Sequence, residues 1–233
     1  MEAIEAIALM LGAAWASGIN LYATIVVLGW MGSTGQVDLP PALEVLQDPT
    51  VMFAAGLMYC VEFFADKVPG VDSGWDTIHT FIRIPAGAMM AAGAAEGLEI
   101  GQAAELTALI LGGALSATSH ATKTSGRLLI NTSPEPVTNW TASITEDVAV
   151  VGGLWAALNH PWWFLAALVV FLLIVAWLLP KIWRTLKRVF RAVGRWFSGK
   201  RDPGETVSEE FQHRRRDVLG ELYHDAGSDK STP

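Results

Sequence analysis

The sequence predicts an all-α membrane protein with about six transmembrane helices, followed by an amphipathic helix lying at the membrane interface. Three observations predict it. The chain of 233 residues is 52% hydrophobic and only 17% charged, and its mean hydropathy of +0.35 exceeds what a soluble domain of this length carries. None of the 16 Lys and Arg precedes Lys67, and eight of them fall between Lys181 and Arg201. Residues 162–179 carry no polar or charged side chain and run into Pro180, a stretch that matches the roughly 30 Å of a bilayer's hydrocarbon.

Calibrated against that last span, the others follow in order. The first covers residues 4–31 and is interrupted by the small and polar stretch Ala16-Ser17-Gly18-Ile19-Asn20. It opens on Glu2 and Glu5, without a basic segment or an A-x-A site, so it reads as a span and not as a removed signal. A second covers 50–68. A third covers 75–95, with Pro85 and Gly87 in its middle. The fourth and fifth cover 103–130 and 139–158. The Lys/Arg bias sets their orientation. If the basic block after residue 180 is cytoplasmic, six spans put the N-terminus on the same side. The outer connections near 35–48, 96–105 and 159–161 then contain no Lys or Arg, while Lys67 and Arg127 fall at inner ends.

Residues 181–198 form a helix of a different kind. Ile182, Trp183, Leu186, Val189, Phe190, Val193, Trp196 and Phe197 share one face, and Lys181, Arg184, Lys187, Arg188, Arg191 and Arg195 the other. This pattern suits a helix resting on the anionic lipids of the cytoplasmic leaflet. Beyond it, Asp202-Pro203-Gly204 ends the helix and residues 199–233 read as a polar, largely disordered cytoplasmic tail, with a short helix over 209–223. The run Arg214-Arg215-Arg216 is too short and too mixed with acids to argue for nucleic acid. The single cysteine, Cys60, excludes an intrachain disulfide and reads as a small buried hydrophobe. The sequons at Asn131 and Asn139 fall in or near an inner connection and read as chance.

Charges inside spans cost about 2.5–3.5 kcal/mol each near the centre, and this chain keeps two clusters of them. Glu62 and Asp66, four apart, lie on one helix face and are followed by Lys67 and by Pro69-Gly70. Asp72, Asp76, His79 and Arg83 then step by four, three and four along a single stripe, with Asp72 and Ser73 also suited to capping that helix. His120, Lys123 and Arg127 form a basic stripe, and Glu146 and Asp147 sit inside the fifth span. Acids in one half and bases in the other can neutralise each other in the bundle interior, as packing devices or as a polar pathway. Asp72, Asp76 and His79 alone are too common a pattern to specify a metal. No nucleophile with its base, phosphate loop or Cys/His metal spacing occurs, so no cofactor and no enzyme are expected, a metal-dependent intramembrane enzyme being the remote alternative.

The two halves share features in order. Asn20-Leu21-Tyr22-Ala23-Thr24 parallels Thr118-Ser119-His120-Ala121-Thr122, each span is followed by a proline connection, and each next span carries acids. Three spans per copy would make residues 4–98 and 103–180 inverted repeats, an architecture of secondary transporters with the site at the repeat interface. That reading requires Asn20 and His120 to approach each other.

Several stretches together resemble one family. They are Gly18-Ile19-Asn20-Leu21-Tyr22-Ala23-Thr24, Ala65-Asp66-Lys67-Val68-Pro69-Gly70-Val71-Asp72-Ser73, Ile78-His79-Thr80-Phe81-Ile82-Arg83, His120-Ala121-Thr122-Lys123 and Ile130-Asn131-Thr132-Ser133-Pro134-Glu135-Pro136. They are similar to the bacterial membrane family called domain of unknown function 4126, over roughly residues 10–180. The resemblance implies a small multi-pass protein of the bacterial inner membrane and brings no activity or functional residue with it.

The residues themselves point to a transporter or channel for an ion or a small polar or anionic solute. Asn20, Glu62, Asp66, Lys67, Asp72, Asp76, His79, Arg83, His120, Lys123, Arg127, Glu146 and Asp147 are the candidate pathway residues. The alternative is a protein of lipid handling or envelope assembly that holds an anionic head group without flux. Small residues in the third span, Ala86, Gly87, Ala88, Ala91, Ala92 and Gly93, permit close helix contact within the chain or in a homo-oligomer.

Overall fold

The computed structural model describes residues 2–68, 71–98, 101–131, 136–198, 211–216 and 219, of which 73, 131, 136, 179, 182, 183 and 185–198 are described by their backbone alone. The helices are α1 (Ala3–Ser33), α2 (Pro49–Ala65), α3 (Val71–Glu96), α4 (Gln102–Asn131), α5 (Pro136–Asn159) and α6 (Pro161–Ser198), with a 3-10 helix, Pro41–Gln47, between α1 and α2. Among the described residues there is no strand. Three of these helices open on proline, whose fixed φ suits a first turn and whose missing N–H is one that a helix start leaves unbonded in any case. At α2, Asp48 caps the turn by accepting the Thr50 N–H at 2.7 Å; that bond holds the Asp48 carboxyl below its ordinary range. Glu2 donates its amide to Glu5 at the start of α1.

The chain divides into two compact units, residues 1–179 and 180–233. In the first, α1 is the central helix. It packs against α2, α3, α4, α5 and the 3-10 helix, and α3 against α4 is the most extensive helix pair. Small residues make that pair close: a side chain at Gly112 would strike Ala91, and one at Gly87 would strike Ser17 and Ser116. The small residues of α3 are therefore spent on contacts inside the chain. On the other flank, Trp15 of α1 sits edge-on to Phe164 and Phe171 of α6, each 6.1 Å away between ring centres.

Beside its apolar core this unit buries charged side chains and exposes large apolar ones. Arg83, Glu62, Asp72 and Asp76 are 0% exposed, whereas Phe81 is 80% and Trp163 78% exposed. Among the described residues, two helices, Ala3–Ser33 and Pro161–Leu178, are long and apolar enough to cross a membrane; α2 is apolar but shorter. In the second unit the backbone is helical from Pro180 to Ser198 and again over 211–216. Lys181 and Arg184 are exposed, and Arg184 donates its Nε–H to the Pro180 carbonyl at 3.1 Å. The side chains of Lys187, Arg188, Arg191 and Arg195 lie outside the described residues, as does the tail apart from 211–216 and 219.

Three expectations are corrected. Cys60 is exposed, not buried, because it lies on the outward face of α2 with Leu57, Val61 and Phe64, opposite Glu62 and Ala65. Asp72 lies within the first turn of α3, whose helix begins at Val71, and so is not its N-cap. The proline connection after α1 is no plain loop: its 3-10 helix buries Leu43 and Leu46.

Candidate functional site

The site begins with a break in α1. Asn20 has φ −147° and ψ 98°, outside helical values. In an unbroken helix the Ala23 N–H would bond to the Ile19 carbonyl. Here it donates to Asn20 Oδ1 at 3.0 Å, so Asn20 caps the second half of α1 and the Ile19 carbonyl is released. Gly18 lets this segment lie against α4, since a side chain there would strike Ser119 and the Ser116 carbonyl. The interrupted stretch in the sequence thus marks a discontinuous helix.

Lys123 of α4 fills the gap. Its Nζ donates to the Ile19 carbonyl at 3.2 Å, to Glu62 at 3.2 Å and to Asp66 at 3.1 Å, with Glu146 at 3.5 Å and Asp76 at 3.8 Å. Two arginines flank it. Arg83 of α3 pairs with Glu62 at 2.6 Å and Asp76 at 3.1 Å. Arg127 of α4 pairs with Glu146 at 2.8 Å and Asp66 at 3.4 Å, and also donates to the main-chain carbonyls of Asp66 and Asn139. Positive and negative groups therefore alternate along one seam, Arg83 to Lys123 to Arg127, with carboxylates shared between neighbours. Arg83, Lys123 and Arg127 are all buried, which only such pairing makes tolerable.

Histidines border the seam at the Arg83 end. An arginine has no acceptor, so its 3.2 Å contact with His120 Nδ1 makes Nδ1 the acceptor and puts the proton on Nε2. That nitrogen donates to Thr80 Oγ1 at 2.8 Å, and Thr80 donates to the Asp76 carbonyl. His79 has the opposite arrangement: Nδ1–H donates to the Trp75 carbonyl at 2.9 Å, and Tyr22 lies 3.0 Å from Nε2. The His79 ring stacks on Trp75. On the α5 side, Asn20 Nδ2 donates to Asp147 at 3.0 Å, and Tyr59 lies near the same carboxylate.

Of the residues singled out in the sequence, Glu62, Asp66, Asp76, Arg83, Lys123, Arg127 and Glu146 form one connected ion-pair network. Asn20, His120 and Asp147 touch it or its edges, and Asp72 and His79 are buried on the same stripe of α3. Lys67 departs from the group. Its Nζ donates to the Phe63 carbonyl at the end of α2 and sits 2.8 Å from the centre of the Phe63 ring, facing Trp140 on the other side. Thr118 and Thr122 bond back to their own helix. Sequence reasoning missed Tyr22, Tyr59, Ser17, Thr80 and Ser116. Ser17 and Ser116 lie 3.3 Å apart, and Ser116 donates to the Arg83 carbonyl. Tyr22 and Ser17 flank the break in α1, which was a usable signal; the others carried none. Among the described residues no group of His, Cys, Asp and Glu is arranged to hold a metal ion.

A family model, Domain of unknown function (DUF4126), matches residues 7–181. The chain belongs to this family. The matched region takes in all the residues of the charged seam, while the basic helix after residue 181 and the tail lie beyond it. No curated protein and no solved structure matches the chain.

Proposed function

We propose that this DUF4126 protein is a multi-pass membrane protein of about six spans, with both termini cytoplasmic, that moves an ion or small polar solute through its charged seam. The observation that carries the reading is the meeting of the broken α1 with Lys123. A discontinuous helix that offers a free carbonyl to a charged site deep in a bundle is the usual construction of a secondary-transport site. The apolar exterior around α2 to α6 supports a bilayer environment, since buried charge with exposed Phe and Trp is stable in lipid and unstable in water. The adjacency of Gly18 to Ser119, together with the matching stretches of sequence, supports two inverted repeats. Basic residues exposed after Pro180, Lys181 and Arg184, favour contact with anionic lipid at the cytoplasmic face.

The test is flux of protons and inorganic ions into liposomes under an imposed gradient, with Lys123→Ala as the paired variant. Flux above empty liposomes, lost in a variant that still folds, supports transport. Head-group binding, the second reading, is favoured instead by equal absence of flux in both together with co-purified anionic lipid.

A further inference from the structure

Lys123 is unusual in how many oxygens surround one amine. Ile19 of α1, Glu62 of α2, Asp66 at the C-terminal cap of α2, Asp76 of α3 and Glu146 of α5 supply five oxygens between 3.1 and 3.8 Å of Nζ. One of them is a main-chain carbonyl freed by a helix break, the ligand that discontinuous helices offer to monovalent cations. The charge around the amine is also unbalanced. Four carboxylates, Glu62, Asp66, Asp76 and Glu146, meet three cations, Arg83, Lys123 and Arg127. Three of the carboxylates around Lys123 leave their second oxygen, Glu62 Oε2, Asp66 Oδ1 and Asp76 Oδ2, buried without a hydrogen-bond partner. Buried carboxylate oxygens left without a protein partner are costly, and each has a lone pair for one more donor or cation.

We infer that the oxygen shell around Lys123 is a monovalent-cation site in which the Lys123 ammonium is a tethered occupant, exchanged for a free alkali or ammonium ion when the side chain withdraws. With Lys123 in place no group of His, Cys, Asp and Glu among the described residues is arranged to hold a metal ion; an alkylammonium is a compact point charge on a flexible stem, so its withdrawal is what opens the same oxygens to a free ion. Arg83 and Arg127 hold the cage by fork-shaped pairing and remain in place during the exchange. This deepens the reading of the seam as an ion pathway and names the class of ion. It is tested by equilibrium binding in detergent, so that a failure to observe flux and a failure of the cation site give separate results.

The measurement is thermal unfolding of Lys123→Met in sodium, potassium, ammonium or choline chloride at equal ionic strength. Choline, too large for the cage, is the reference. The site predicts that at least one small monovalent cation raises the midpoint of the variant by roughly 4 °C or more, with little difference in the parent protein, whose cage is filled. No cation-specific rise in a folded variant overturns the proposal, as does stabilisation by calcium or magnesium alone. If Lys123→Met does not fold, the parent protein decides. Reductive methylation of Lys123, followed by mass spectrometry with Lys181 as the internal control, should proceed faster in potassium than in choline. Equal rates overturn the proposal.

Discussion

The carbonyl oxygen of Ile19 lies 3.2 Å from Lys123 Nζ, a residue 104 positions further along the chain. The contact exists because Asn20 has taken over the bond that this carbonyl would otherwise accept from Ala23. A single amide side chain thus ends one half-helix, begins the next and hands a free acceptor to the basic stripe of α4. The same Asn20 reaches Asp147 with its Nδ2, so α1, α4 and α5 are tied at one point.

Arg83 is the first place to test what holds the seam. It is fully buried and answers both Glu62 and Asp76. Replacing it with Met leaves both carboxylates short of a partner, and the expected loss is about 3–5 kcal/mol of stability. Adding Glu62→Met to Arg83→Met should recover part of that loss, because the apolar pair removes a stranded charge along with its partner. Chemical unfolding in detergent, arranged as a double-mutant cycle, reads both numbers. Additive losses would mean that the two side chains are not coupled.

Gly18 and Gly56 make opposite predictions for the same change. A methyl group at Gly18 meets Ser119 Oγ and the Ser116 backbone, which has nowhere to move, whereas Gly56 in α2 faces open space. Gly18→Ala should therefore cost about 1–3 kcal/mol by overpacking. Gly56→Ala should be neutral or stabilising by up to about 1 kcal/mol through backbone entropy. Melting temperatures of the two variants, compared with the parent, check the pair; equal shifts would contradict the close approach of α1 to α4.

Cys60 reports on the surroundings of α2. It is exposed on an apolar face with Leu57, Val61 and Phe64. If that face meets lipid, a charged maleimide added to proteoliposomes leaves Cys60 unmodified, because the reagent does not enter hydrocarbon. Denaturation in detergent then makes it fully reactive. Rapid labelling of the intact proteoliposomes would place the α2 face in water.

Much of this organisation was legible in the chain. Helical spacing put Asp72, Asp76, His79 and Arg83 on one stripe, and all four are buried together. The small and polar interruption over residues 16–20 contained the break in α1, which falls at its last residue, Asn20. Complementary stripes in α2, α3 and α4 announced that acids and bases meet, and Glu62 to Arg83 at 2.6 Å is the outcome. Periodicity could not assign partners, since which carboxylate meets which cation depends on helix crossings set by Gly18, Gly87 and Gly112. It also misjudged Cys60 and did not foresee the contacts of Lys67. Apolar character alone does not tell an inward face from a lipid-like one, and a lysine at a helix end finds the nearest free carbonyl before it finds a distant acid. The 3-10 helix after α1 escaped notice because Pro40 and Pro41 read only as an interruption, whereas Pro41 begins a turn that buries two leucines.

The order in which the seam's charges lie along the chain bears on how the protein is made. Glu62, Asp66 and Asp76 are synthesised before their first seam partner, Arg83, and the counter-ions Lys123 and Arg127 follow only with α4. Glu146, which completes the pairing of Arg127, comes later still. The ribosome therefore delivers the negative part of the molecule before the positive part that neutralises it. An N-terminal fragment that ends before α4 therefore holds Glu62 and Asp76 with Arg83 as their one partner from the seam, and Asp66 with none of its seam partners.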